Sequence, residues 1–370
     1  MKEELKEKLK CYLCGEEYEP AAKIWRCSCG GFFDLVFTPL VDFKSISSKE
    51  YDLWRYREAL PISNDTEIIS FQEGFTPLLE IEFSGRKIHV KQEYLFPTGS
   101  FKDRGAAVLV NKLRELNIVR VIEDSSGNAG AALAAYCARA GIECEIFASC
   151  DTAPGKLEQI KSYGALLNLN AETRQHAAEL ALEKAKTTYY ASHSWNPYFF
   201  QGTKTFAFEI CEQLNWESPD ILVLPVGNGT LLLGAYLGFK DLIRAGIIKR
   251  LPRLIGVQLE SCCPVYRSFN NLPEQNFRID QIKSGRGIAI SAPIRIKQIV
   301  SAIRESGGDI ICVSSQQINK YQRLLAEMGF YLESTAVIAF AGLAENRELM
   351  SSAGSIITAF TGHGLKESRR

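Results

Sequence analysis

Between residues 105 and 190 the chain alternates apolar runs with amphipathic ones. The spacing predicts helices over 106–116, 129–140, 154–163 and 172–186, and strands over 119–123, 144–148 and 166–169. Beyond 192 the alternation resumes. Helices are predicted over 203–214, 231–245, 316–329 and 334–346, and strands over 221–224, 254–258, 309–313 and 355–359. Strands separated by single helices imply mostly parallel sheets and an α/β class. Earlier, two strand-like runs between 78 and 94 flank Ser84-Gly85-Arg86. Residues 36–66 form a connector broken by Pro39, Ser45, Ser47, Ser48, Pro61 and Ser63, with a short amphipathic helix over 51–60.

A chain of 370 residues is long enough for two domains. Lys plus Arg and Asp plus Glu number 43 each, a balance that argues against a dedicated nucleic-acid binder. No apolar run approaches the ~20 residues of a membrane span. The opening Met1-Lys2-Glu3-Glu4-Leu5-Lys6 lacks an apolar signal core, so a cytoplasmic location is expected.

Eleven cysteines in such a chain suggest reduced thiols and metal-like usage rather than a disulfide framework. Cys11 and Cys14 form a C-x2-C pair; Cys27 and Cys29 form a C-x-C pair, followed by Gly30 and Gly31. Four thiolates on two turns suit one tetrahedral Zn²⁺, with no position left open for chemistry. The same residues suit a ribbon that folds without metal. Residues 1–35 interleave Lys and Glu, the pattern of a solvated face.

Four later stretches carry candidate chemistry. Lys102 lies in Thr98-Gly99-Ser100-Phe101-Lys102-Asp103-Arg104-Gly105, just before a helical pattern. Ser100 followed by Asp103 is a weak capping-box start that places Lys102 in the first turn. The helix dipole disfavours a positive charge there and helps free the amine as a nucleophile, as a Schiff base requires. A surface lysine fits the same octapeptide. Ser125-Ser126-Gly127-Asn128-Ala129-Gly130 joins a strand to a small-residue helix, where backbone N–H groups and Asn128 can hold an anion. An ordinary turn closing on Gly127 fits as well. Pro225-Val226-Gly227-Asn228-Gly229-Thr230 follows an apolar strand, and a phosphate is its natural guest. It lacks the G-x-G-x-x-G pattern, which weakens a dinucleotide reading. Thr361 precedes Gly362-His363-Gly364 after another strand.

With Glu73-Gly74-Phe75-Thr76-Pro77-Leu78 ahead of them, these stretches in this order resemble the fold-type II enzymes that use pyridoxal phosphate, and within them the threonine synthase family. The resemblance runs over roughly residues 67–366 and covers most of the chain. It implies two parallel-sheet α/β domains behind a cysteine-rich ribbon-like module at 1–35. The large cofactor-binding domain would take 36–98 and 192–370, and the small one 99–191. It further implies a homodimer acting on a small amino-acid substrate in amino-acid biosynthesis.

The same resemblance assigns roles. Lys102 would hold the cofactor and move the α-proton. Asn128 would meet its phenolic oxygen. Val226, Gly227, Asn228, Gly229 and Thr230 would cup its phosphate, and Thr361 would face the pyridine nitrogen. Ser125 and Ser126 would take the substrate carboxylate, with Ala129, His193, Ser194 and Phe199 around the substrate, and Lys91 and Arg104 as further anion contacts. Lys204 and Glu209 would be structural. The reaction implied is conversion of O-phosphohomoserine and water to threonine and phosphate.

Four positions depart from the family pattern. Ala129 stands where a threonine is usual, His193 where an asparagine is usual, and Phe199 where an arginine is usual. Phe96 replaces a common asparagine. Phenylalanine cannot make the charge-assisted, bidentate contact an arginine makes to phosphate. A divergent β-elimination or β-replacement enzyme for a serine- or threonine-like substrate is therefore an alternative. A non-catalytic regulatory protein binding pyridoxal phosphate or an amino acid is another, although such a binder has no need of Lys102.

Overall fold

The computed structural model describes residues 7–39, 46–150, 152, 154–282 and 284–367. The charged run Met1–Lys6 and the connector residue Ser45 lie outside them.

Two compact units divide the described chain. The first holds the residues up to Phe75 together with Lys102–Thr203; the second holds Thr76–Phe101 and Lys204–Glu367. These bounds differ from those expected. Residues 46–75 group with the first unit because its helix Lys102–Glu115 clamps them: Asn111 Oδ1 accepts from Ile69 N and its Nδ2 donates to Ile69 O, both at 2.8 Å. The crossing falls at Lys204 rather than Ser192 because helix Pro197–Thr203 packs on helix Lys102–Glu115.

In the first unit, strand Glu7–Cys11 pairs antiparallel with Glu17–Tyr18 on one side and Phe33–Phe37 on the other. A four-stranded parallel sheet has the order Leu166–Ala171, Glu143–Ser149, Arg120–Glu123, Tyr189–Tyr190. The two-residue strand Tyr189–Tyr190 is too short to leave a periodic signature. Helix Asn128–Ala140 is alanine-rich because it is buried from Ala129 to Cys137, packing on helix Lys102–Glu115 with Ala129, Ala131, Ala132, Ala134 and Ala135 all inside. It ends at Gly141, whose φ of 68° is the left-handed value glycine adopts without a Cβ penalty. The predicted helix over 51–60 is a 3-10 helix, Leu53–Ala59, capped by the Asp52 carboxylate and broken at Tyr56.

In the second unit, strands Asp309–Val313, Arg253–Leu259, Ile221–Pro225, Ile356–Ala359 and Arg86–Lys91 run parallel in that order. Leu78–Phe83 closes the edge as an antiparallel hairpin, its turn made by Ser84 and Gly85 at φ 51° and 74°. Every residue of Ile221–Pro225 is buried, which is why this strand reads as a continuous apolar run. No helix among the described residues is long and apolar enough to cross a membrane.

Candidate active site

Each unit carries its own set of predicted residues. In the first, Lys102 opens helix Lys102–Glu115, where the dipole argument places it. Its Nζ lies 5.6 Å from the ring centroid of Phe199. That ring fills the space over Gly105, where a Cβ would come within 2.3 Å of it. His193 meets the same ring edge-on, the centroids 6.0 Å apart. Phe199 therefore sits at the centre of the group, buried, with Lys102 and His193 against it.

Strand Arg120–Glu123 delivers a carboxylate beside them. Glu123 Oε2 accepts from the backbone N–H of His193 at 2.9 Å, and Oε1 lies 3.2 Å from His193 Nδ1. Burial pushes the Glu123 carboxyl up to about 7. Burial, then the charge of Lys102, holds His193 well below the ordinary imidazole range. Asp124 is pushed up to about 6 by exclusion from solvent and by Glu123, and accepts from Tyr190 Oη at 2.7 Å. Glu123, Asp124 and Tyr190 were missed from sequence. Two adjacent acids closing an apolar strand were the available signal.

The loop after Asp124 turns tightly. Gly127 N donates to Ser125 Oγ at 3.4 Å, and Ser125 O lies where a Cβ on Gly130 would stand, 1.8 Å away. Glycine at 130 lets Ser125 and Ser126 lie across the start of helix Asn128–Ala140. Asn128 is the first residue of that helix and Ala129, buried, the second. Ser194 is buried with its Oγ 3.2 Å from Ser192 Oγ. The structure thus groups Lys102, His193, Phe199 and Glu123, and places Ser125, Ser126 and Asn128 on the loop that follows Glu123.

In the second unit, Val226 continues strand Ile221–Pro225 by donating to Val257 O at 2.9 Å, and Gln258 Nε2 donates to Val226 O at 3.1 Å. Gly229, at φ 74°, caps helix Thr230–Arg244. A Cβ on Gly227 would stand 3.0 Å from Ile288 Cα, and one on Gly229 2.4 Å from Ile299 Cδ1. Thr361 is buried, its carbonyl accepting from Phe101 N at 3.1 Å. Lys91 does not serve as an anion contact. Its Nζ donates to Thr76 O at 2.5 Å and Gln213 Oε1 at 2.8 Å, and pairs with Glu209. Lys204 and Asp241 form a buried pair at 2.9 Å, in keeping with a structural role.

At the amino end, the Sγ atoms of Cys11, Cys14, Cys27 and Cys29 lie within 4.8 Å of one another. Cys11 is 3.5 Å from Cys29, and Cys14 is 3.6 Å from Cys27.

A family model described as pyridoxal-phosphate dependent enzyme matches residues 69–362. Threonine synthase from Methanocaldococcus jannaschii is 34% identical, over 97% of this chain and 92% of the relative. The chain belongs to the threonine synthase family of pyridoxal-phosphate-dependent enzymes. Threonine synthase from Methanosarcina acetivorans is 33% identical over the same shares, 97% and 92%. Among solved structures, L-serine ammonia-lyase from Rhizomucor miehei matches with a TM-score of 0.66 at 23% identity, over 78% of this chain and 94% of that one. Serine racemase from Dictyostelium discoideum matches at 0.65 and 22%, over 79% and 92%. Both are similar in fold, the fold-type II α/β arrangement of parallel sheets.

The residues present fit the family's cofactor. A lysine amine at a helix start suits an aldehyde. A turn of backbone N–H groups at a helix N-terminus, with glycines at 227 and 229 packed closely on Ile288 and Ile299, suits a phosphate.

Proposed function

We propose that this chain is a threonine synthase, converting O-phosphohomoserine and water to threonine and phosphate. The observation that carries the reading is identity of 34% across nearly the full length of both chains, set on a site whose lysine opens a helix. Pyridoxal phosphate, when bound, supplies an electron sink for the carbanion of an amino acid.

This chain's residues do the rest. The Lys102 amine would hold the cofactor through its aldehyde and, when free, would take the α-proton. Asn128 orients the cofactor's phenolic oxygen. The turn from Val226 to Thr230 would bind its phosphate through backbone N–H groups, and Thr361 would offer a neutral hydroxyl to the ring nitrogen. Ser125 and Ser126 hold the substrate carboxylate, with His193 and Ser194 beyond. The reading carries with it a cytoplasmic homodimer working in amino-acid biosynthesis.

We also assign a structural zinc to Cys11, Cys14, Cys27 and Cys29. Thiolates ~2.3 Å from a tetrahedral zinc stand about 3.8 Å apart, close to the 3.5 and 3.6 Å separations of these sulfurs.

One observation favours a second reading, a relative acting on another serine- or threonine-like amino acid: Phe199 is buried where an arginine would grip phosphate. Two measurements test the assignment. Borohydride reduction of cofactor-loaded protein, followed by peptide mass spectrometry, should place the cofactor on Lys102. Incubation with O-phospho-L-homoserine should release phosphate and form threonine. Labelled Lys102 without phosphate release would shift the assignment to the second reading. Cofactor found on another residue would overturn both.

A further inference from the structure

Glu123 and His193 are not needed for any step assigned above, yet Glu123 holds His193 at two points in a buried setting. Resting on the threonine synthase reading, we propose that they form a proton-carrying dyad that replaces the missing arginine: His193 acts on the phosphate end of the substrate, and Glu123 positions it.

Geometry carries this. The Glu123 carboxyl grips His193 twice, at the backbone N–H (2.9 Å) and at Nδ1 (3.2 Å), so backbone and ring are held together. Lys102 and His193 share the Phe199 ring, at 5.6 and 6.0 Å, which sets the dyad beside the nucleophilic lysine. Glu123 is 1% exposed and His193 7%, so a lone charge on either is costly while one proton held between them is not. The groups facing the pair are Lys102 from its helix, Asp124 with Tyr190 hydrogen-bonded to it, and Arg174 from helix Arg174–Lys184. The opposite shifts of Glu123, raised to about 7, and His193, lowered, fit a neutral acid donating to a neutral imidazole.

In that state the Glu123 proton faces Nδ1 and the ring proton is on Nε2. In the elimination the Cβ–H bond breaks, its electron pair forms the Cβ–Cγ double bond and its proton passes by way of water to Cγ; the Cγ–O bond breaks with its pair on the phosphate oxygen, and His193 Nε2–H protonates that oxygen. The Glu123 proton moves to Nδ1. In the hydration, water's oxygen bonds to Cβ and the proton it sheds goes to Nε2, while Nδ1–H returns its proton to Glu123. The electron pair displaced from the Cα–Cβ double bond ends in a new Cα–H bond, its proton returned by the Lys102 amine. The dyad ends as it began, having carried one proton out and one back. An arginine would bind phosphate but could not do this, since it does not deprotonate.

Holoenzyme, its His193→Asn variant and its Glu123→Gln variant separate the outcomes. Calorimetry with inorganic phosphate at pH 8, in two buffers of different ionisation heat, reads proton uptake directly. Wild type should take up about one proton per phosphate bound, and His193→Asn none. With O-phosphohomoserine, His193→Asn should lower kcat about 100-fold with a smaller change in KM. Glu123→Gln should move the alkaline limb of the kcat profile. A His193→Asn enzyme with wild-type kcat and wild-type proton uptake overturns the dyad and leaves the threonine synthase reading intact. A wild type that releases no phosphate from O-phosphohomoserine overturns that reading. In that case proton uptake dependent on His193 still supports the dyad as an anion-linked proton carrier, and its absence overturns it.

Discussion

Lys91 Nζ lies 2.8 Å from Glu209 Oε2, and neither side chain is exposed to solvent. The pair is not isolated. Lys91 also donates to Thr76 O and Gln213 Oε1, Thr76 N donates to Glu209 Oε2 at 3.2 Å, and Thr76 Oγ1 donates to Glu93 at 2.7 Å. The network ties strand Arg86–Lys91 to helix Thr205–Gln213 through the Thr76 backbone. Removing one partner leaves a buried charge unpaired. Lys91→Met should therefore destabilise the fold by ~3–5 kcal/mol, while the double variant Lys91→Met/Glu209→Met should cost less than the sum of the singles. Urea denaturation of the four proteins checks this. Additive losses would mean the pair contributes only through its separate packing.

A second constraint lies under the lysine. A Cβ on Gly202 would stand 2.0 Å from Arg104 O, and one on Gly105 2.3 Å from the Phe199 ring. The two helices approach this closely because both lack a side chain at the crossing. Gly202→Ala meets immovable backbone and should cost ~1–3 kcal/mol or more, with reduced cofactor attachment to Lys102. Gly105→Ala meets a ring, and Phe199→Leu should recover part of its loss. Melting temperatures of the three variants, with borohydride labelling of Lys102, test this. Equal damage from Gly105→Ala with and without Phe199→Leu would remove the ring from the explanation.

These contacts show what was and was not legible in the chain. The alternation of strands and helices was legible because the parallel sheets bury strands such as Ile221–Pro225 on both faces, leaving unbroken apolar runs. The place of Lys102 at a helix start was legible because the capping residues and the small residues around it are local features. The Glu123–His193 pair was not, since its members are 70 residues apart and nothing near either announces the other. The grouping of residues 46–75 with the first unit was hidden for a similar reason. The Asn111 clamp on Ile69 spans 42 residues, and the connector it captures has the composition of a free linker. Lys91 was taken for an anion contact because its partners, Thr76 O and Gln213, lie 15 and 122 residues away.

The thiol cluster makes a prediction about metal content. Purified protein should contain about one zinc per chain by mass spectrometry of the metals, and Cys27→Ser should contain little. Four protein ligands leave no site for substrate, so metal loss should act on the ribbon. Strand Glu7–Cys11 should become protease-sensitive, while the parallel sheet holds. Protein free of zinc with an equally resistant amino end would show that the ribbon folds on its own. Its buried Leu9 and Phe33 and the stacked Tyr12 and Phe32, 4.8 Å apart, would then suffice.

Glu123 also leaves a mark on stability. Its folded carboxyl titrates near 7 against an ordinary 4.5, because burial disfavours the charge. Between those values the folded state holds a proton that the unfolded state has released, so stability falls as pH rises through the window. A displacement of that size is worth about 3 kcal/mol once pH exceeds 7. Asp124, raised from 3.8 to about 6, adds a loss of the same sign at lower pH. Glu123→Gln carries no titrating proton there, and its amide oxygen can still accept from His193 N. Its stability should therefore fall less between pH 5 and 7 than that of the wild type, and it should be the more stable protein at pH 8. Urea midpoints of both proteins at pH 5, 6, 7 and 8 decide the matter. Parallel curves would mean that Glu123 is already ionised in the folded protein, its charge held by the His193 backbone N–H and by Lys102 in place of solvent.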